Sequence, residues 1–177
     1  PKSATQLYQL ALEHDPGSAE AADSLADRLA DEQRWPELVR LVRARAVSTA
    51  DPARAVALRL RLADVFVHQL ADPSSAQQEL AAARLLAPED PAVHEMTATI
   101  LASIDPPRAI EAWREVVRLA EARNDHRTSA RAWAILGDLQ GGDEAEAAWR
   151  RALELDPLQA DALGGLARAA AARQDHV

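Results

Sequence analysis

Four acidic residues, Glu20, Asp23, Asp27 and Asp31, recur at spacings of three and four, which sets them along one face of a helix. Like charges at i,i+4 destabilise a helix by about 0.2–0.5 kcal/mol per pair. A stripe of this kind therefore points to electrostatic chemistry, the attraction of a basic segment of another protein. The plainer reading of the same residues is a solvated helix face. Five histidines, His14, His68, His94, His126 and His176, show no i,i+4 pairing of the sort that ligates a metal, and cysteine is absent. The six glycines are placed for turns and close contacts rather than for a phosphate loop, and no serine sits in a nucleophile elbow. Neither catalysis nor a cofactor nor a metal is expected.

Next to the acidic stripe lies its opposite. Between Arg34 and Arg61 there are seven arginines (34, 40, 43, 45, 54, 59 and 61) against two acids, Glu37 and Asp51. This window suits an acidic protein or a lipid headgroup; alternatively its arginines pair with nearby acids and cover apolar surface with their stems. Over the whole chain the net charge is −8, which disfavours nucleic acid, because phosphate binding rests on clustered cations that release counterions. No apolar run approaches the ~20 residues that span a bilayer, so no direct membrane insertion is expected and a cytoplasmic location is.

The elements that must position these residues are read from a recurring template. In the stretch Ala145 to Pro157 a small residue, Ala145, is followed by a large one, Trp149, then by Ala152 and Pro157. Ala4, Tyr8, Ala11 and Pro16 repeat the spacing, as do Ala76, Leu80, Ala83 and Pro88; fainter copies run through Ala109, Trp113 and Val116, and through Leu38, Val42 and Arg45. The leading positions 4, 38, 76, 109 and 145 are separated by 34, 38, 33 and 36 residues. Self-similarity at such a period marks a solenoid of helix pairs. Alanines at these spacings let a neighbouring helix approach, and the large residue fills the gap beside them. Composition agrees: the chain is 48% hydrophobic but only 3% aromatic, so the core is built from Ala, Leu and Val, which favours helix over strand.

Proline and aspartate punctuate the helices. Asp51-Pro52, Asp72-Pro73, Asp90-Pro91 and Asp105-Pro106 each read as an N-cap followed by the first helical residue. Ser18 is expected to cap the acidic helix, whose buried side is Leu25, Ala26 and Leu29, and Asp143 with Glu146 resembles a capping box. The alternation LRLRL at 58–62 is read as helix, because Leu58, Leu62, Val65 and Phe66 keep the helical period. The expected division is one array over residues 1–177: a half-repeat at 3–16, repeats at about 18–50, 52–88, 90–123 and 126–157, and a terminal half-repeat at 158–177. Both ends fall within repeats, as in a fragment of a longer array.

At Trp133, Leu136 and Gly137, followed by Ala145, Trp149, Ala152 and Pro157, the chain resembles the tetratricopeptide repeat (TPR) family. Leu25-Ala26, Leu62-Ala63, Met96-Thr97 and Leu166-Ala167 are the equivalent first-helix pairs. Leu136 to Ala145 is four residues shorter than Leu25 to Leu38, so that first helix is expected to be curtailed. The resemblance implies an all-α, right-handed superhelix of antiparallel helix pairs whose first helices line a concave groove. It also implies a non-catalytic scaffold that binds a peptide or a folded regulator of another protein there. The groove positions are then Glu20, Asp23, Asp27, Asp31, Leu60, Asp64, Val67, His68, His94, Leu101 and Asp138, with Ala98 and Ala134 among the small ones. The Lys and Asn that clamp a terminal carboxylate in peptide-binding members are replaced by Asp23 and Asp27, Leu60 and Asp64, and His94 and Ala98. An apolar groove suits a partner helix; if the first helices tilt instead, Leu60, Val67, Ala98, Leu101 and Ala134 are buried between repeats. The rival functions are a spacer or self-association region of a larger bacterial-type multidomain protein, and a targeting module for an enzyme elsewhere in the full chain.

Overall fold

The structure, a computed structural model, describes residues 3–174. Lys2, Asp175 and His176, and with the last two the place where a further turn is expected, lie outside them. Ten helices occur among the described residues: α1 (Ala4–His14), α2 (Ala19–Asp31), α3 (Trp35–Ser48), α4 (Pro52–His68), α5 (Pro73–Leu86), α6 (Pro91–Ile104), α7 (Pro106–Ala122), α8 (His126–Leu139), α9 (Gly142–Leu155) and α10 (Ala160–Gln174). The LRLRL stretch lies inside α4.

Short polar side chains start these helices by taking up the free first-turn amides. Asp51, Asp72, Asp90 and Asp105 each accept a backbone N–H of the following helix, with proline in its first turn. Ser18 accepts from Ala21 at the start of α2, and Ser3 forms a full capping box with Gln6. Asp125 caps α8 through the Thr128 amide at 3.0 Å. The amide and then the hydroxyl of Thr128 hold the Asp125 carboxyl below the ordinary aspartate range. The Ser75 hydroxyl and amide do the same for Asp72. A folded-state pKa below the unfolded value of about 3.9 means stability that is present above that value and lost as pH falls through the folded one. The double variant Asp72→Asn, Asp125→Asn keeps good N-caps but should flatten the acid limb of Tm between about pH 5 and 3. Circular dichroism melts decide it; an acid limb as steep as the parent's would show that these carboxylates carry none of it.

The fold comprises two compact units that part between Pro88 and Glu89. In the first, α1 to α5 pack each on the next. Its core joins Leu25, Leu29, Leu38, Val42, Leu62, Phe66 and Leu80 with the fully buried alanines Ala63, Ala76 and Ala83. In the second, α6 to α10 pack likewise, and α10 also touches α8. One cluster there is built on Trp113 with Leu101, Val116, Ala132 and Leu136, a second on Trp149 with Ala134, Ala145, Ala152 and Ala162, and Trp133 touches both. In α5, α7 and α9 the template residues do what their spacing suggests, small residues admitting the neighbouring helix and one large side chain filling each gap, whereas in α1 Ala4 and Ala11 are exposed and Tyr8 is half-buried.

Two local expectations are corrected. No side chain caps α9; its N-cap is Gly141, and Gly142 takes a left-handed φ of 59°. With the turn this short, Asp143 falls inside the first turn instead of at the cap. Glu146 turns away to accept from Arg150 at 2.8 Å and from Arg173. Nor is α8 curtailed, since it has 14 residues against 13 in α2. It stops at Leu139, three residues after Leu136, while α2 runs six past Leu25; the compensation is an earlier start.

Candidate partner-binding surface

In the first unit the acidic stripe lies on α2 and is met by arginines of α4. Asp23 accepts from Arg54 at 2.6 Å and Asp27 from Arg61 at 2.7 Å. Asp31 pairs within its own helix with Arg28 at 3.4 Å, and Glu20 is exposed in the first turn. These pairs are partly solvated, the Asp27 side chain being 69% exposed, so each contributes about 0–1 kcal/mol. Further along α4, Asp64 and His68 are both exposed and 3.5 Å apart, an ion pair only when the imidazole is protonated. Leu60 and Val67 are half-buried.

The second unit repeats the arrangement with different residues. Glu95 of α6 accepts from Arg131 of α8, and Asp138 of α8 accepts from Arg168 of α10 at 3.1 Å. His94 is half-buried. Leu101, expected in the groove, is packed against Trp113 and Leu136, and Ala98 and Ala134 are fully buried. These three follow the tilt-and-bury reading, Ala98 and Leu101 lying in the cluster around Trp113 and Ala134 in the cluster around Trp149.

Sequence reasoning allowed Arg54 and Arg61 to pair with nearby acids without naming Asp23 and Asp27, and it missed Arg131 and Arg168. Their signal was an acid on one first helix and an arginine 30 to 36 residues on, close to one repeat. Most arginines of the 34–61 window are likewise paired: Arg34 with Glu32 and Glu37, Arg43 and Arg59 with Glu79, and Arg45 near the carbonyls of Pro16 and Ser18. Glu32, which also accepts from the buried Thr5 hydroxyl, has its carboxyl held low by that bond and by Arg34. Among the described residues no cluster of three or more His, Asp or Glu is placed to hold a metal, and no helix is long and apolar enough to cross a membrane.

No protein-family model and no curated protein matches the chain. Solved structures do. The C-terminal part of a TPR repeat-containing protein from Cytophaga hutchinsonii superposes with a TM-score of 0.74 at 18% identity, covering 92% of this chain and 66% of that one. BtubC from P. vanneervenii gives 0.66 at 19% identity, covering 87% and 70%. YrrB, described as a TPR protein with an unusual peptide-binding site, gives 0.60 at 20% identity, covering 91% and 80%. The fold is therefore all-α and TPR-like, as the repeat spacing and the Trp-Leu-Gly motif suggest.

Proposed function

We propose that the chain is a non-catalytic protein-interaction scaffold whose first-helix surface holds a segment of a partner protein. The observation that carries the reading is the ladder of partly solvated acid–arginine pairs between successive first helices, Asp23–Arg54 and Asp27–Arg61 in the first unit, Glu95–Arg131 and Asp138–Arg168 in the second. Surface pairs of this kind are cheap to exchange. A basic partner residue can take the place of Arg54 or Arg61 on its carboxylate, while Leu60 and Val67 offer apolar contact on the same helix. In the first unit the binding surface is Glu20, Asp23, Asp27, Asp31, Leu60, Asp64, Val67 and His68; in the second, His94 and Asp138 belong to it. The peptide-binding site named for YrrB, a protein of the same fold, is consistent with this use.

The test is capture with a cross-linker from a cell lysate, mapping of the cross-links, and titration of the purified partner. A variant with Asp23→Asn, Asp27→Asn and Leu60→Ser should bind at least about tenfold more weakly and with a flatter salt dependence, while its circular dichroism stays that of the parent. Cross-links confined to second helices, or equal affinity of parent and variant, would remove the first-helix surface from consideration. No captured partner together with a mass that grows with concentration would favour self-association.

A further inference from the structure

The second unit also holds a cleft of about 540 Å3, formed by the first turns of α8 and the turn joining α9 to α10. Arg127 and Arg131 line it from α8, spaced so that both fall on one face, with Thr128 beside them. Asp156, Leu158 and Gln159 line it from the turn. Each polar group except one is already engaged. Asp156 accepts the Leu158 amide at 3.0 Å, Gln159 accepts the Asp161 amide at 3.2 Å, and Arg131 gives part of its guanidinium to Glu95 while its side chain stays 51% exposed. The Arg127 guanidinium has no hydrogen bond or ion pair among the described residues, in a chain where most arginines are paired. At the same cleft Leu158, a large apolar side chain, is 84% exposed.

We infer that this cleft binds an acidic side chain of an extended partner segment. Arg127 and Arg131 form a fork for the carboxylate, and Leu158 packs on an apolar residue adjoining it. Guanidinium donors match a carboxylate in planar, bidentate geometry, and one of the two needs no partner removed before it binds. A carboxylate fits better than a phosphate for two reasons. Residues 89–177 carry sixteen acidic against ten basic side chains, so a singly charged group is repelled less than a doubly charged one. Leu158 besides would be left idle by a bare phosphate. The site differs in residues and in charge sign from the Asp23–Asp27 surface, so either can fail while the other stands.

The probe is a fluorescein-labelled peptide in which one Leu lies between two Glu, titrated by fluorescence anisotropy and, unlabelled, by NMR of the 15N-labelled chain. Saturable binding is expected, with shifts gathered at residues 127–131 and 158–160. Arg127→Glu should weaken it by about tenfold or more, the loss of one charge-assisted fork, Leu158→Ser should weaken it measurably, and Arg127→Lys should retain part of it. Circular dichroism of each variant reports the fold. The inference is overturned by an absence of saturable binding, by equal affinity in Arg127→Glu, or by equal affinity for the peptide with Gln in place of Glu. Full displacement by inorganic phosphate at matched ionic strength would also overturn it, since that marks a simple anion hole.

Discussion

Gly165→Ala is expected to destabilise the chain by about 1–3 kcal/mol, while the same change one residue earlier, Gly164→Ala, is expected to stabilise it by about 0.5–1 kcal/mol. Both glycines lie inside α10, where helix propensity alone favours alanine at either position. What separates them is Trp149. A Cβ built on Gly165 would fall inside the contact distance of the indole's Cε2, and one on Gly137 of α8 would strike its Nε1 and Cδ1. The ring is hemmed in by glycine backbone on two helices, only 8% exposed, and its Nε1–H is buried without a partner. A rigid ring so placed cannot step aside for a methyl group. At Gly164 the nearest atom is the guanidinium tip of Arg168 at 3.3 Å, which swings away at little cost. Trp149→Ala should itself cost about 3–5 kcal/mol. In that background the Gly165→Ala penalty should vanish, because its cause is gone. Urea unfolding followed by circular dichroism measures all four; a Gly165→Ala penalty that survives loss of the ring would place its origin elsewhere.

This arrangement also shows what a one-dimensional reading can and cannot reach. Ala145, Trp149 and Ala152 were legible as a packing template because their spacing is local to one helix, and so were the Asp-Pro starts, whose caps act within four residues. That Gly164-Gly165 would serve close helix contact was legible too, but which of the two meets the ring depends on the rotation of α10 against α9. The ladder of Asp23–Arg54, Asp27–Arg61 and Asp138–Arg168 pairs was hidden for a related reason: each joins residues about a repeat apart, and the register between helices decides which of several arginines answers a given acid. Leu101 shows the limit from the other side. Its position on a first helix suggested a groove, yet a small change in helix tilt carries a residue from the rim of a surface into the core. The acidic stripe is legible as a helix face and the pairing of the 34–61 arginines with nearby acids as one reading of that window, but the particular pairs Asp23–Arg54 and Asp27–Arg61 are not.

The largest electrostatic effect is expected at Glu79, which no motif marked. Ala76, Glu79, Leu80 and Ala83 stand at i, i+3, i+4 and i+7, so the acid occupies a position of the buried stripe of α5, and its side chain is 7% exposed. One carboxylate oxygen accepts from Arg43 of α3 at 2.8 Å and the other from Arg59 of α4 at 3.0 Å. Arg43 in turn lies over the ring of Phe66 at 5.4 Å. One acid thereby ties three consecutive helices together. Removing its charge by Glu79→Gln should cost about 3 kcal/mol, because Arg59, 17% exposed and with its Nε already unpartnered, is left as an uncompensated buried charge. The penalty should persist in about 0.5 M salt, where the exposed pairs of α2 and α4 contribute almost nothing. If the loss comes from the stranded charge and not from packing, Glu79→Met combined with Arg59→Met should restore most of the stability, Arg43 being free to reach solvent. Denaturant unfolding of the parent, the single variant and the double variant separates the two causes: a double variant as weak as Glu79→Gln would mean that α5 needs the ionic tie itself to hold its register on α4.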